Sequence, residues 1–131
     1  MGRGGKLVEI EIDFGKIARI QKALQRMPEV IIEEIGTAVR DLVLMIEAEA
    51  KRLCPVDTGN LRSSITPEVL SWAEGYVGTN VNYAPWVEYG TVRTPAQPFM
   101  EPAFLFGKKA SKKIFGQAIS RAIARFERSA R

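Results

Sequence analysis

PEVIIEEIGTAVRDLVLMIEAEAKRL, residues 28–53, sets the architecture of this 131-residue chain. Apolar residues recur there at steps of three and four for about seven turns, with charged residues on another side, which predicts one long amphipathic helix. Pro28 suits the helix start because its missing amide is one of the donors that a helix start leaves unpaired. Pro55 disfavours the helical conformation at Cys54, so we predict that the helix ends near Leu53. The apolar positions are Ile31, Ile35, Val39, Leu42, Ile46, Ala50 and Leu53.

Two shorter elements precede this helix. Val8, Ile10 and Ile12 alternate with acidic residues, which predicts a half-buried strand. Between Ile17 and Met27 the apolar residues return to steps of three and four, which predicts a short amphipathic helix.

The residues that follow the long helix predict short strands and turns. Residues 57–60, Asp-Thr-Gly-Asn, are typical of a turn, and Glu74-Gly75 has the composition of a hairpin turn. We predict strands at Leu61–Ile65, Val69–Trp72 and Tyr76–Thr79. Tyr83–Gly90 predicts a helical turn, because Pro85 is suited to begin it and Gly90 to end it.

A proline-rich stretch, Thr94–Pro102, leads into a terminal helix. One stripe of that helix is apolar and predicts packing; its members are Phe115, Ile119, Ala122 and Phe126. The order of elements predicts an α+β fold, a short antiparallel sheet with the long central helix and the C-terminal helix packed on one face. We expect a single domain over residues 1–131, with residues 1–5 flexible and residues 107–131 forming a basic C-terminal helix.

Charge is divided unevenly along the chain. Residues 107–131 hold eight Lys or Arg residues against one Glu, a net charge of +7. The rest of the chain holds eleven basic and fourteen acidic residues, a net charge of −3. A basic end of this kind suits an acidic neighbouring subunit or nucleic acid. We favour subunit docking, while lining a DNA passage and simple solvation of the helix remain open.

Composition argues against several classes of function. The chain has no histidine, the usual general base near neutral pH and a common zinc ligand. Its one cysteine, Cys54, is expected to behave as a small buried hydrophobe. No apolar run approaches the roughly 20 residues that span a bilayer. We therefore expect no cofactor, no metal, no small-molecule substrate and no membrane association, and a protein made and kept in a cytoplasm.

Two motifs suggest other activities. Asp57-Thr58-Gly59 matches the tripeptide that carries the catalytic carboxylate of aspartic proteases, but Asn60 follows the glycine where that family has Ala or Ser. A turn role for Asp57 is favoured. Six aromatic residues within 28 positions could stack on bases, but only Arg93 supplies a cation among them, which favours packing or an interface. They are Trp72, Tyr76, Tyr83, Trp86, Tyr89 and Phe99.

Three segments in order resemble one known family. Residues 54–65, CPVDTGNLRSSI, resemble the first hallmark of the phage gene-product-ten-like proteins, the neck or tail-completion proteins of long-tailed phages. Residues 77–80, VGTN, and 83–91, YAPWVEYGT, resemble the second hallmark, and residues 95–103, PAQPFMEPA, resemble the third. Cys54 stands where alanine is common in the family.

The resemblance implies a non-catalytic, cofactor-free subunit of the virion. It implies an α+β protein at the head–tail junction that assembles into a ring, commonly sixfold, between connector and tail-tube proteins. A tail terminator that caps the tube is the alternative, and a DNA-binding module is a further one. A ring needs two different surfaces on each subunit. The residues expected at subunit interfaces are Asp57, Thr58, Arg62, Tyr83, Trp86, Glu88, Tyr89, Phe99, Arg121, Arg125 and Arg128.

Overall fold

A computed structural model describes residues 8–11, 29–56 and 59–129 of the chain. The architecture is α+β, as predicted from the order of elements. The elements are β1 (Val8–Glu11), α1 (Glu29–Leu53), α2 (Gly59–Ser64), β2 (Thr66–Ser71), β3 (Glu74–Thr79), α3 (Ala84–Tyr89) and α4 (Met100–Ser129). The flexible segment expected at residues 1–5, the helix expected at Ile17–Met27, and Asp57 and Thr58 lie outside the described residues.

The three strands form an antiparallel sheet in the order β1-β3-β2. The strand predicted from Val8 and Ile10 is confirmed as β1, and Val8 pairs with Thr79. The hairpin turn predicted at Glu74-Gly75 is wrong, because the chain turns at Trp72-Ala73. The Ser71 hydroxyl accepts a hydrogen bond from the Ala73 amide at 3.2 Å, which provides the turn chemistry there.

Gly75 lies inside the central strand because helix α1 leaves no space for a side chain. A Cβ atom added at Gly75 would lie 3.2 Å from Val39 Cγ1 and still closer to Val43. On another side of α1, Leu42 and Ile46 lie against Gly107 of α4. Helix α1 therefore lies between the β2–β3 hairpin and α4, and its broad buried face explains why its apolar pattern was the clearest in the sequence.

The strand predicted at Leu61–Ile65 is wrong, because most of this segment belongs to helix α2. Leu61 and Ile65 are both fully buried, and a step of four residues places both side chains on one side of a helical turn. The hydroxyls of Ser63 and Ser64 donate to the carbonyls of Asn60 and Leu61, three residues earlier in each case. These short-range bonds favour the turn over an extended chain.

Helix α4 begins at Met100, earlier than residue 107, and only Phe115 and Ala122 of the predicted stripe pack against the core. Pro102 lies in its first turn, where a missing amide removes no helical bond. Ala118 and Ala122 are fully buried, whereas Ile119 is 43% exposed and Phe126 is 46% exposed. Ala118 and Ala122 pack against α1 because the two helices approach closely there, whereas Ile119 and Phe126 remain nearly half exposed.

Candidate subunit interface

The Glu88 carboxylate is buried and caps the terminal helix. Its Oε1 atom accepts the backbone amides of Phe99 and Met100 at 3.1 and 2.9 Å, and its Oε2 atom accepts that of Glu101 at 3.0 Å. These amides belong to the start of α4, where helix donors lack internal partners and the helix dipole favours negative charge. Glu88 therefore fixes α3 to the N-terminus of α4.

The loop after α3 is tied down by hydrogen bonds. Gly90 has a φ of +80°, and a Cβ atom there would lie 2.7 Å from the Ala96 nitrogen, so glycine is required. The Thr91 amide donates to the Thr94 carbonyl at 2.8 Å, and the Thr91 hydroxyl accepts the Thr94 amide at 3.0 Å. The Gln97 amide donates to the carbonyl of Val87 at 2.8 Å, which returns the loop to α3.

Three apolar side chains stand exposed on this fixed support. Trp86 is 60% exposed, Tyr89 is 67% exposed, and Val92 is fully exposed. Trp86 and Tyr89 are three residues apart on α3 and share one face of it. We call these three residues the aromatic patch. Large apolar side chains exposed on a helix and a loop that hydrogen bonds hold in place are typical of a protein interaction site. Sequence reasoning missed Val92, whose signal is a lone apolar residue in a Thr- and Pro-rich loop.

Two of the expected interface residues have no surface to offer a neighbour. Glu88 is 3% exposed and Phe99 is fully buried, so we withdraw both from the interface and assign them to the internal structure. Arg62 and Arg128 are exposed, as an interface would require. Tyr83 is half-buried, and its buried hydroxyl forms no hydrogen bond with the part of the chain that the structure describes.

Arg121 and Arg125 bind acidic residues of their own chain. Arg121 Nε lies 2.9 Å from Glu34 Oε1, and Arg125 Nη1 lies 2.8 Å from Glu34 Oε2. Arg125 Nη2 lies 3.0 Å from Glu33. Hydrogen bonds from Arg125 and then Arg121 lower the pKa of Glu34 below its usual value. The expectation that these two arginines are held for an acidic neighbour is therefore corrected: their nearest acids belong to α1.

A hydrogen bond connects the first two hallmark segments. The hydroxyls of Ser64 and Thr79 bond to each other, and Thr79 Oγ1 also accepts the Val81 amide at 3.2 Å. Nearby, Cys54 is 2% exposed, as expected for a small buried hydrophobe, and burial raises the pKa of its thiol. Cys54 belongs to the same buried cluster as Ala84, the first residue of α3.

No group of three or more Cys, Asp or Glu residues within 29–56 and 59–128 is placed to hold a metal ion. None of the helices that the structure describes is both long enough and apolar enough to cross a bilayer.

Comparisons with known proteins identify the family. Searches of curated proteins and of solved structures gave no match. The family model described as "Bacteriophage HK97-gp10, putative tail-component" matches residues 18–90, more than half of the chain. This range contains the first hallmark segment and nearly all of the second, and it confirms the resemblance found in the sequence. The chain therefore belongs to the HK97-gp10-like family of bacteriophage tail components.

Proposed function

We propose that this tail component is a neck or tail-completion subunit of a tailed phage or prophage. Copies of the chain assemble into a ring, commonly sixfold in such junctions, that joins the head connector to the tail tube. The proposal includes no catalytic step and no cofactor. The observation that carries it is the aromatic patch, because Trp86, Tyr89 and Val92 are exposed on a loop and helix that hydrogen bonds hold in place.

A closed ring requires two different surfaces that fit each other on successive subunits. The aromatic patch is one candidate surface. The second is the outer side of the C-terminal half of α4, where Ile119 is 43% exposed and Ile123 is 49% exposed. These two residues are four apart and share one side of the helix. We propose that the aromatic patch of one subunit packs on Ile119 and Ile123 of the next.

Deletion of the gene tests the role in joining. We expect filled heads and separate tails that fail to join, visible by electron microscopy of the lysate. Infectious particles in normal yield without the gene would refute the proposal.

Variants test the surface. Trp86→Ser combined with Tyr89→Ser removes most of the aromatic patch, and we expect it to fail in complementing the deletion while the purified chain stays folded. Leu44→Ser is the matched control, because Leu44 is also about half exposed but lies beside the charged residues Arg40 and Asp41 on α1. Equal complementation by both variants would remove the aromatic patch from the proposed interface.

A tail terminator that caps the tube is the alternative phage role, since it would also form a ring. Tail length in the deletion separates the two roles. Tubes of normal length favour joining, whereas overlong tubes favour termination.

A further inference from the structure

Four lysines form a belt on the outer side of α4. Lys108, Lys109, Lys112 and Lys113 are all exposed, and none makes an ion pair with the described residues. They form two like-charged pairs four residues apart, an arrangement that weakens a helix. We call these four residues the lysine belt. A polyanion bound across it would remove this repulsion.

The lysine belt differs from the arginines that follow it. Arg121 and Arg125 are neutralised by Glu33 and Glu34 of α1, so their charge is largely matched within the chain. For an outside partner, the positive charge of the C-terminal helix that is not matched within the chain is therefore mainly that of the lysine belt. Its partner must supply several negative charges close together.

A second copy of the chain offers no such surface within the described residues. Five exposed acidic residues have no ion pair there, and they are dispersed. Glu29 and Asp41 are twelve positions apart on α1, Glu74 is in the hairpin, and Glu101 and Glu127 are at opposite ends of α4. Twelve helical residues span about 18 Å, which is longer than the belt. Glu29 and Asp41 of one subunit therefore cannot both contact the lysine belt of another. Charge complementarity therefore points away from subunit docking.

Double-stranded DNA fits the dimensions of the belt. From Lys108 to Lys113 the helix rises about 7.5 Å, and a duplex of that length carries about four phosphates. Lys113 of the belt, Gln117, Ser120 and Arg121 line a shallow, open depression, and Gly116 leaves the helix surface there without a side chain. Amide and hydroxyl groups are common contacts to phosphate and sugar.

We infer that the lysine belt binds the phosphate backbone of double-stranded DNA without reading its sequence. The biological setting rests on the proposed function, because a ring that joins head to tail would surround DNA leaving the head. The binding itself does not depend on ring assembly.

Fluorescence anisotropy with a labelled duplex of about 20 base pairs, two helical turns, tests the binding on the purified full chain. Four phosphate contacts predict that affinity falls about 100-fold between ~50 and ~200 mM salt. Replacing all four lysines with glutamine should remove most of that dependence and weaken binding at ~50 mM salt at least about 10-fold. Replacing them with arginine should retain binding, which controls for damage to the fold.

Arg125→Gln is the charge control, because Arg125 is paired with Glu33 and Glu34 and does not line the depression beside the belt. It should leave affinity and salt dependence nearly unchanged. Absence of wild-type binding at ~50 mM salt would overturn the inference, because that condition favours phosphate contacts. Equal loss of binding in the variant with four glutamines in the belt and in Arg125→Gln would also overturn it.

The glutamine variant of the belt, expressed in the phage deletion, distinguishes DNA from a protein partner. We expect heads and tails to join in normal numbers. If the variant folds but heads and tails stay separate, the belt docks a protein, and the inference fails while the joining role stands. Joined particles in the deletion itself would instead refute the joining role and leave the DNA measurement unaffected.

Discussion

Glu88 Oε1 lies 2.9 Å from the backbone nitrogen of Met100, the first residue of the terminal helix. The same carboxylate binds the amides on either side, from Phe99 and Glu101. One side chain of α3 thus supplies the N-terminal cap of a 30-residue helix. The position of the aromatic patch relative to α4 depends on this contact, because Trp86 and Tyr89 belong to the same short helix as Glu88.

Glu88→Ala should lower the free energy of unfolding by about 3 kcal/mol, because it leaves three amides near the helix start without their charged acceptor. Urea denaturation of the purified chain measures the loss. Glu101→Ala is the control: it removes an exposed acid from the same turn and should cost about 0.5 kcal/mol or less. Similar losses in the two variants would show that burial and hydrogen bonding give Glu88 no special role.

The sequence drew attention to Glu88 through the second hallmark segment but suggested the wrong role. A carboxylate that caps a helix beginning twelve residues later leaves no periodic signal, since helix periodicity reports only side chains on one element. The predicted interface therefore mixed exposed residues, such as Trp86, with buried ones, such as Phe99. The long helix α1 was predicted correctly because its broad buried face produces a strong pattern over 25 residues.

Gly107→Ala should destabilise the chain by about 1–3 kcal/mol, although alanine is the better helix former. The added Cβ would lie 2.5 Å from Ile46 Cδ1, and Ile46 is 2% exposed and has little room to move. Gly116→Ala is the matched control on the same helix, because nothing lies within 4 Å of its added Cβ. We expect that variant to gain up to about 1 kcal/mol. Thermal unfolding of the pair measures the difference, and a gain in both variants would mean that α1 and α4 are not in such close contact.

The same close approach explains why Ile119 and Phe126 were wrongly assigned to the packed face of α4, whereas Phe115 and Ala122 were assigned correctly. Hydrophobicity alone favours Ile119 and Phe126 over alanine for an inner position. Where two helices nearly touch, small residues such as Ala118 and Ala122 are the ones that fit. The distance between the helices depends on tertiary packing, which a single sequence does not reveal.

The lowered pKa of Glu34 predicts how the stability of the chain depends on pH. Hydrogen bonds from Arg125 and Arg121 hold its pKa below the usual value of 4.5, so its contribution is fully present above that pH. The contribution is lost as the pH falls from about 4.5 through the lower pKa of the folded state. Glu34→Gln should therefore be less stable than the wild type at neutral pH, and the difference should shrink at pH 3, as measured by urea denaturation at each pH.

Asp41→Asn is the control for the pH experiment, because Asp41 is exposed on the same helix and makes no ion pair with the described residues. Its difference from the wild type should stay small at both pH values. A gap between Glu34→Gln and the wild type that stays constant from pH 7 to pH 3 would contradict the ion-pair origin of the effect.

Removing the Tyr83 hydroxyl should affect stability and assembly differently. Its buried hydroxyl has no hydrogen-bond partner in the described structure, and a buried polar group without a partner costs about 1–3 kcal/mol. Tyr83→Phe should therefore leave the isolated chain equally stable or raise its free energy of unfolding by about 1 kcal/mol. If a neighbouring subunit supplies the missing partner in the ring, the same variant should complement the gene deletion less well than the wild type. Tyr83→Leu, which removes the aromatic ring of the side chain as well as the hydroxyl, is the control for packing. A clear loss of stability in Tyr83→Phe would show that the hydroxyl is bonded within the chain, and Tyr83 would then leave the proposed interface.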